Sequence, residues 1–113
     1  MGEVGGQMTD YAEKRVVPRF TFIATVDISH AESGIRLAGR ISEISRRGCY
    51  IDVLNTLPKD TPIQLRITRD SGTFVTPGSV IYVLERMGMG VAFLDTAPDQ
   101  LSILDSWLAE FSG

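Results

Sequence analysis

Apolar and polar residues alternate with a period of two along most of the chain, which is typical of half-buried β-strands. Residues 21–28 show the pattern with one lapse at Ile23. The remaining runs are residues 35–45, 50–53, 62–68, 74–85 and 87–94. Six short strands at roughly ten-residue spacing predict a mainly β domain, built as a sandwich or a barrel.

Glycine and proline divide these runs. The segment 30–34 contains serine and glycine and predicts a turn. Pro77-Gly78 predicts a bulge or bend inside the run 74–85. Gly88 and Gly90 allow close approach of neighbouring backbone in the last strand. In the run 35–45, Glu43 shares the parity of the apolar residues Ile35, Leu37 and Ile41.

The last segment has helical periodicity. In residues 99–111, Leu101, Leu104, Leu108 and Phe111 recur at a spacing of three or four, with Trp107 beside them. Thr96 fits an N-cap, with Asp99 at the third helical position. We expect an amphipathic C-terminal α-helix that packs on the strands and buries Trp107.

Length and composition fit one globular domain. The chain has 113 residues, of which 43% are hydrophobic and 22% charged. Residues 1–12 are rich in glycine and polar residues, so we expect a flexible leader, followed by the domain at 13–113. Cys49 is the only cysteine, which excludes an internal disulfide and a cysteine-based zinc site. Because no apolar run approaches the ~20 residues of a membrane span, we expect no membrane insertion and a cytoplasmic location.

The charge distribution favours a small anionic ligand. The net charge of −3 argues against general DNA or RNA binding, which requires neutralisation of many phosphates. Six of the eleven basic residues nevertheless fall in two short segments: Lys14, Arg15 and Arg19, and Arg40, Arg46 and Arg47. A local basic region on an acidic protein is suited to a small anion.

The first of these segments places Arg15 and Arg19 just before the first strand. Pro18 disfavours a helix there, so the segment is predicted to be extended and irregular. On such a turn the two guanidinium groups can reach one ligand from two sides. Guanidinium binds phosphate and the O6/N7 edge of guanine in a bidentate manner. A solvated basic linker is the structural alternative.

The second segment lies at the end of the second strand. Glu43 and Ser45 are two residues apart and are expected to project to one face. A carboxylate accepts the two N–H donors of guanine, and a hydroxyl can bond a phosphate or a ring nitrogen. Gly48 suits either a positive φ or the close approach of a ligand. A polar strand end with a turn glycine is the structural alternative.

Together the two segments resemble the PilZ domain family, whose pattern is R-x-x-x-R followed by [D/N]-x-S-x-x-G. Arg15 and Arg19 match the first motif, and Ser45 and Gly48 match the second. The resemblance covers residues 13 to about 111. It implies a six-stranded antiparallel β-barrel with a C-terminal helix. It also implies that the domain binds the bacterial second messenger cyclic di-GMP, with no cofactor.

The resemblance further implies a mechanism and a site. In the family, the arginine-bearing N-terminal loop folds over the ligand and thereby changes contact with a partner protein. Its implied ligand-binding residues here are Arg15, Arg19, Glu43, Ser45 and Gly48, with Lys14, Arg46 and Arg47 as additional candidates. Glu43 departs from the family's Asp or Asn and carries its carboxylate about 1.5 Å further from the backbone. The alternative is therefore a PilZ-like protein-interaction module that no longer binds nucleotide.

An enzyme is not expected. His30 is the only histidine, lies in a polar turn and has no paired nucleophile in the sequence. No nucleophile-elbow, phosphate-loop or metal-ligand spacing is present, so catalytic residues and a metal site are not predicted. Cys49 lies on the apolar face of its strand and is expected to be a buried, inert thiol.

Overall fold

A computed structural model describes residues 20–70 and 72–112, without the side chains of residues 20–23, 111 and 112. The described residues form six strands and one helix. The strands are β1 (Phe20–His30), β2 (Ile35–Ile44), β3 (Gly48–Asp52), β4 (Pro62–Arg69), β5 (Gly72–Leu84) and β6 (Gly88–Phe93). The helix α1 spans Pro98–Ser112. The leader predicted at residues 1–12 and the arginine segment lie outside the described residues.

The six strands close into a barrel in the order β1-β2-β3-β6-β5-β4. All six pairings are antiparallel, and β4 returns to β1 to complete the ring. Closure leaves no unpaired sheet edge along the barrel wall. The mainly β prediction with a six-stranded antiparallel barrel and a C-terminal helix is confirmed.

The core is formed by the inward faces of the strands, as the period of two predicted. Alternate residues of β1 and β4 are buried, and Phe74 of β5 fills the centre with no exposed surface. The buried set in these three strands is Ala24, Val26, Ile28, Ile63, Leu65, Ile67 and Phe74. Burial of each large apolar side chain contributes about 1.5–3 kcal/mol to the stability of the closed barrel.

Helix α1 closes one side of the core with Leu104 and Trp107, both buried as predicted. The Trp107 ring meets Phe74 edge to face, with centroids 6.2 Å apart. Beside it, the side-chain oxygen of Gln100 accepts the backbone N–H of Val75 at 2.8 Å. Val75 lies in the part of β5 that does not pair with β6. Gln100 therefore supplies the acceptor for its backbone N–H.

The predicted N-cap is wrong by one residue. The helix begins at Pro98, and the first helical hydrogen bond runs from Leu101 N to Ala97 O at 2.9 Å. Ala97 is therefore the N-cap, and Asp99 is the second helical residue. The Thr96 hydroxyl instead bonds the hydroxyl of buried Thr76 at 2.7 Å, which joins the start of the helix to β5.

Register shifts interrupt the barrel at positions that the sequence pattern did not indicate. In β2, the pairing with β3 shifts between Ile41 and Glu43. In β5, the pairing with β6 shifts between Val80 and Tyr82. The bulge expected at Pro77-Gly78 is not found there, because β4 and β5 pair without interruption through these residues. Such shifts redirect side chains from one face of a strand to the other.

Among the described residues, no helix is long and apolar enough to cross a membrane.

Candidate functional site

A cleft of about 240 Å³ opens on the outer surface where β2, β3, β6 and β5 lie side by side. The second sequence segment forms one side of it through Glu43, Ser45, Arg47 and Gly48. The opposite side and the floor come from Tyr50, Ile81, Tyr82, Gly90, Val91 and Ala92. The cleft therefore combines a carboxylate, a hydroxyl and a guanidinium with an apolar, aromatic wall.

Both register shifts help to build this cleft. The shift in β2 lets Ile41 and Ile44 both point into the core, so Glu43 between them is directed to the outer surface. The alternation in the sequence had placed Glu43 on the same face as Ile41, and the bulge reverses that assignment. The shift in β5 leaves two consecutive residues, Ile81 and Tyr82, exposed on the cleft side.

The turn between β2 and β3 is held by Ser45. Its backbone N–H donates to Gly48 O at 2.9 Å, and its hydroxyl donates to the same oxygen at 3.4 Å. The hydroxyl also accepts the N–H of Arg47 at 3.3 Å. The backbone of Phe93 donates to Arg47 O at 2.8 Å, which fixes the turn to the end of β6. A buried serine thus orders the turn that borders the cleft.

Gly48 is required by the close approach of β6. A Cβ atom at this position would lie 2.3 Å from Val91 O. Gly48 is not among the glycines with positive φ, so of the two roles predicted for it, the left-handed turn is wrong. The backbone of β6 approaches this glycine closely. The close approach of a ligand stays a prediction.

Two tyrosines form the aromatic wall. Tyr50 and Tyr82 have ring centroids 6.2 Å apart and an interplanar angle of 27°. They lie on either side of Gly90, which pairs with both residues across the sheet. Burial raises the pKa of Tyr50, with further contributions from Asp52, Tyr82 and Glu43, so the Tyr50 hydroxyl stays neutral at physiological pH. Neither tyrosine belongs to the two sequence motifs.

The two candidate basic residues that the structure describes, Arg46 and Arg47, lie in different environments. Arg47 is exposed and lines the cleft. Arg46 is not among the lining residues and instead pairs with Asp105 of α1 at 3.0 Å, with both side chains at least half exposed. Lys14, Arg15 and Arg19 lie outside the described residues, so their predicted roles stay predictions.

Cys49 is among the residues that line the cleft, but its side chain is buried. This burial raises the pKa of its thiol well above the usual range. The expectation of a buried thiol is confirmed. Within the described parts of the chain, no group of three or more His, Cys, Asp or Glu side chains is arranged to hold a metal ion.

A second groove lies on the other side of the barrel, on the outer face of β1, β2 and β4. It has a volume of about 360 Å³ and carries Asp27, Arg36, Gln64 and Arg66 among its lining residues. Asp27 pairs directly with Arg66 across the strands. This groove shares no lining residue with the cleft, and its arginines are therefore useful controls.

Comparison with protein families decides the assignment. The PilZ domain model matches residues 13–110, which is most of the chain and includes both motifs. This chain belongs to the PilZ domain family. No curated protein matches it.

Solved structures share the fold at low sequence identity. The inhibitor of motility MotI/DgrA from Bacillus subtilis superimposes with a TM-score of 0.72 at 14% identity, covering 88% of this chain and 51% of that protein. This PilZ chain thus spans about half the length of that relative. The PilZ domain of YcgR from Escherichia coli, solved with c-di-GMP, gives a TM-score of 0.67 at 15% identity, covering 81% and 86% of the two chains. The PilZ domain of CeSA, from a cellulose-synthesising bacterium, gives 0.61 at 19% identity, covering 77% and 91%.

Proposed function

We propose that this PilZ domain is a receptor for cyclic di-GMP and passes the signal to a partner protein. The observation that carries the proposal is the cleft, which brings Glu43, Ser45 and Gly48 of the second motif together. The family match adds support because it extends over Arg15 and Arg19 of the first motif. The E. coli YcgR domain, which shares the fold, was solved with this ligand.

The size of the cleft fits part of the ligand. Pockets that enclose a drug-sized molecule usually measure about 300–1,000 Å³. The described walls enclose about 240 Å³, which suits one purine base and leaves the rest of a cyclic dinucleotide outside. In the proposed complex, Arg15 and Arg19 cover that outer part and contact guanine edges and phosphates. Arg47 adds a cation at the rim, and Lys14 and Arg46 are further phosphate ligands.

Glu43 is the proposed reader of the base edge. Its carboxylate can accept the two N–H groups that guanine presents, as the shorter Asp of the family motif can. The bulge in β2 sends Glu43 outward at the cleft, beside its cross-strand neighbour Tyr50. We propose that this outward placement accommodates the longer side chain and that binding is retained.

Contact with a partner protein is the proposed output. Three large apolar side chains are exposed at one end of the barrel, which is unusual for a small domain. The exposed fractions are 69% for Leu54, 46% for Leu84 and 65% for Met87. They are held near each other because Met87 N donates to Leu84 O and Met87 O accepts from Val53 N. This surface also supports the second candidate function, a PilZ-like interaction module that binds a protein and no nucleotide.

Calorimetric titration with cyclic di-GMP tests the proposal, using the full chain and the variants Arg15→Ala and Arg19→Ala. Each lost charge-assisted hydrogen bond is worth about 1.5–3 kcal/mol, so each variant should bind at least roughly tenfold more weakly. Arg36→Ala and Arg66→Ala remove the same charge from the second groove and should bind within about twofold of the parent.

Equal weakening in all four variants would show that only general electrostatic attraction is involved, and would contradict the proposed site. Absence of binding by the parent chain at high ligand concentration would reject the receptor function and favour the interaction module.

A further inference from the structure

We infer that the paired rings of Tyr50 and Tyr82 form the surface on which a nucleobase of the ligand stacks, and that Gly90 fixes the position of Tyr82. This inference rests on the proposed function, since it assumes that a purine enters the cleft. It assigns a binding role to two residues outside both sequence motifs, and a positioning role to a third.

The two tyrosine rings are paired with each other, and Tyr82 is also exposed. Tyr82 is 41% exposed although its ring lies within a cleft, so an aromatic surface remains open to a ligand. The interplanar angle of 27° makes the two rings nearly parallel, and their centroids are 6.2 Å apart. Nucleobases stack on such side chains with little dependence on base identity, because every base has a π-face.

Strand β6 leaves space for both rings at its glycines. A Cβ at Gly90 would lie 2.2 Å from Cε2 of Tyr82, and all three nearest atoms belong to that ring. A Cβ at Gly88 would lie 2.5 Å from the Tyr50 hydroxyl oxygen. The two glycines therefore leave the space that the tyrosine rings occupy on the outer surface of the sheet.

The groups around the two rings also suit a stacked base. The hydroxyls of Tyr50 and Tyr82 make no hydrogen bond to any residue that the structure describes, so the rings are not held by their polar ends. Glu43 lies opposite Tyr50 on the neighbouring strand. A base stacked on the rings would therefore lie flat beside a carboxylate able to accept from its edge. In this arrangement the rings contribute binding affinity for the ligand, and Glu43 determines which base is preferred.

Substitution of the ring gives the direct test. Titration of the full chain with cyclic di-GMP should show Tyr82→Leu binding about tenfold more weakly and Tyr82→Phe within about twofold of the parent, because only the ring is needed. Urea denaturation of each variant, followed by the fluorescence of buried Trp107, separates a loss of binding from a loss of folding.

The positioning role of Gly90 is tested by a substitution that leaves the Tyr82 side chain itself intact. In Gly90→Ala the added methyl must displace the Tyr82 ring, so binding should weaken at least about fivefold. In the Tyr82→Leu background the same change should have no further effect on binding, since the ring it acts upon is gone. This non-additivity is the signature of two residues acting through one contact.

The outcomes separate the two proposals. Binding by the parent chain that is unchanged in Tyr82→Leu, or weakened equally by Gly90→Ala with and without Tyr82, would overturn the stacking inference and leave the receptor function standing. Failure of the parent chain to bind would reject both.

Discussion

Gly48 offers the sharpest test of the barrel geometry, through the single substitution Gly48→Ala. The added Cβ would lie 2.3 Å from Val91 O and 3.3 Å from Ala92 Cα. Real Cβ atoms essentially never come within 3.0 Å of such atoms, so β3 and β6 must separate by about 0.7 Å or more. The obstructing atom is backbone and cannot rotate away. The methyl group therefore forces two paired strands apart.

The expected cost follows from overpacking and from two strained hydrogen bonds. Overpacking typically costs about 1–3 kcal/mol. Two hydrogen bonds next to Gly48 would be strained by this movement. Ser45 N donates to Gly48 O at 2.9 Å, and Phe93 N donates to Arg47 O at 2.8 Å. Each bond is worth about 0.5–1.5 kcal/mol. We expect Gly48→Ala to lower the free energy of unfolding by about 2–6 kcal/mol. Because small domains have only about 5–15 kcal/mol in total, this is a large fraction.

Urea denaturation followed by far-ultraviolet circular dichroism measures this change, with Gly72→Ala as the matched control. At Gly72 the nearest atoms to an added Cβ are 3.4 Å away on the Trp107 ring, which is ordinary contact. The control should therefore be within about 1 kcal/mol of the parent. A Gly48→Ala variant that is as stable as the control would refute the close approach of β3 and β6.

Three further predictions concern parts of the fold away from the cleft's aromatic wall. Burial raises the folded pKa of Cys49, so its neutral thiol stabilises the fold below the unfolded pKa of about 8.5. Above that pH the free energy of unfolding should fall by up to about 1.4 kcal/mol per pH unit. Denaturation curves of Cys49→Ala between about pH 8 and 9.5 should not show this decrease. Gln100→Ala should destabilise by about 1 kcal/mol in thermal unfolding, because the half-buried N–H of Val75 loses its acceptor. Asp105→Asn should change the unfolding free energy by less than about 0.5 kcal/mol, since its ion pair with Arg46 is exposed; a larger loss would show a structural role for that pair.

The sequence pattern predicted those parts of the fold in which local alternation and tertiary burial agree. In β4, Ile63, Leu65 and Ile67 alternate with polar residues and are buried as the pattern requires. The helix was predicted for the same reason, since Leu104 and Trp107 share one helical face. These predictions need only the period of the residues within one element.

The pattern failed where neighbouring strands decide the geometry. Glu43 was placed on the face of Ile41, because a bulge that arises from pairing with β3 leaves no mark in the alternation of β2. Thr96 was assigned as an N-cap, whereas its hydroxyl is used by Thr76, a residue twenty positions earlier. Both errors come from contacts between residues distant in the sequence.

The candidate site was predicted in part. The second motif forms one continuous stretch, and its residues could therefore be found from spacing. Tyr50 and Tyr82 were missed because aromatic residues are common in strands and nothing local links the two. Gly88 and Gly90 could have indicated the tyrosines. Glycines on the outer face of a strand are often covered by aromatic side chains from neighbouring strands.

We propose that cyclic di-GMP binds in the cleft between the Ser45–Gly48 turn and the tyrosine pair. An NMR titration of the isotope-labelled full chain, which follows each backbone amide as cyclic di-GMP is added, tests this location most directly. We predict that among the described residues the largest shift changes fall at 43–50, 81–82 and 90–92, with little change at 27–29, 36–38 and 64–66 in the second groove. Shift changes concentrated in the second groove, or none at saturating ligand, would contradict binding of cyclic di-GMP in the cleft.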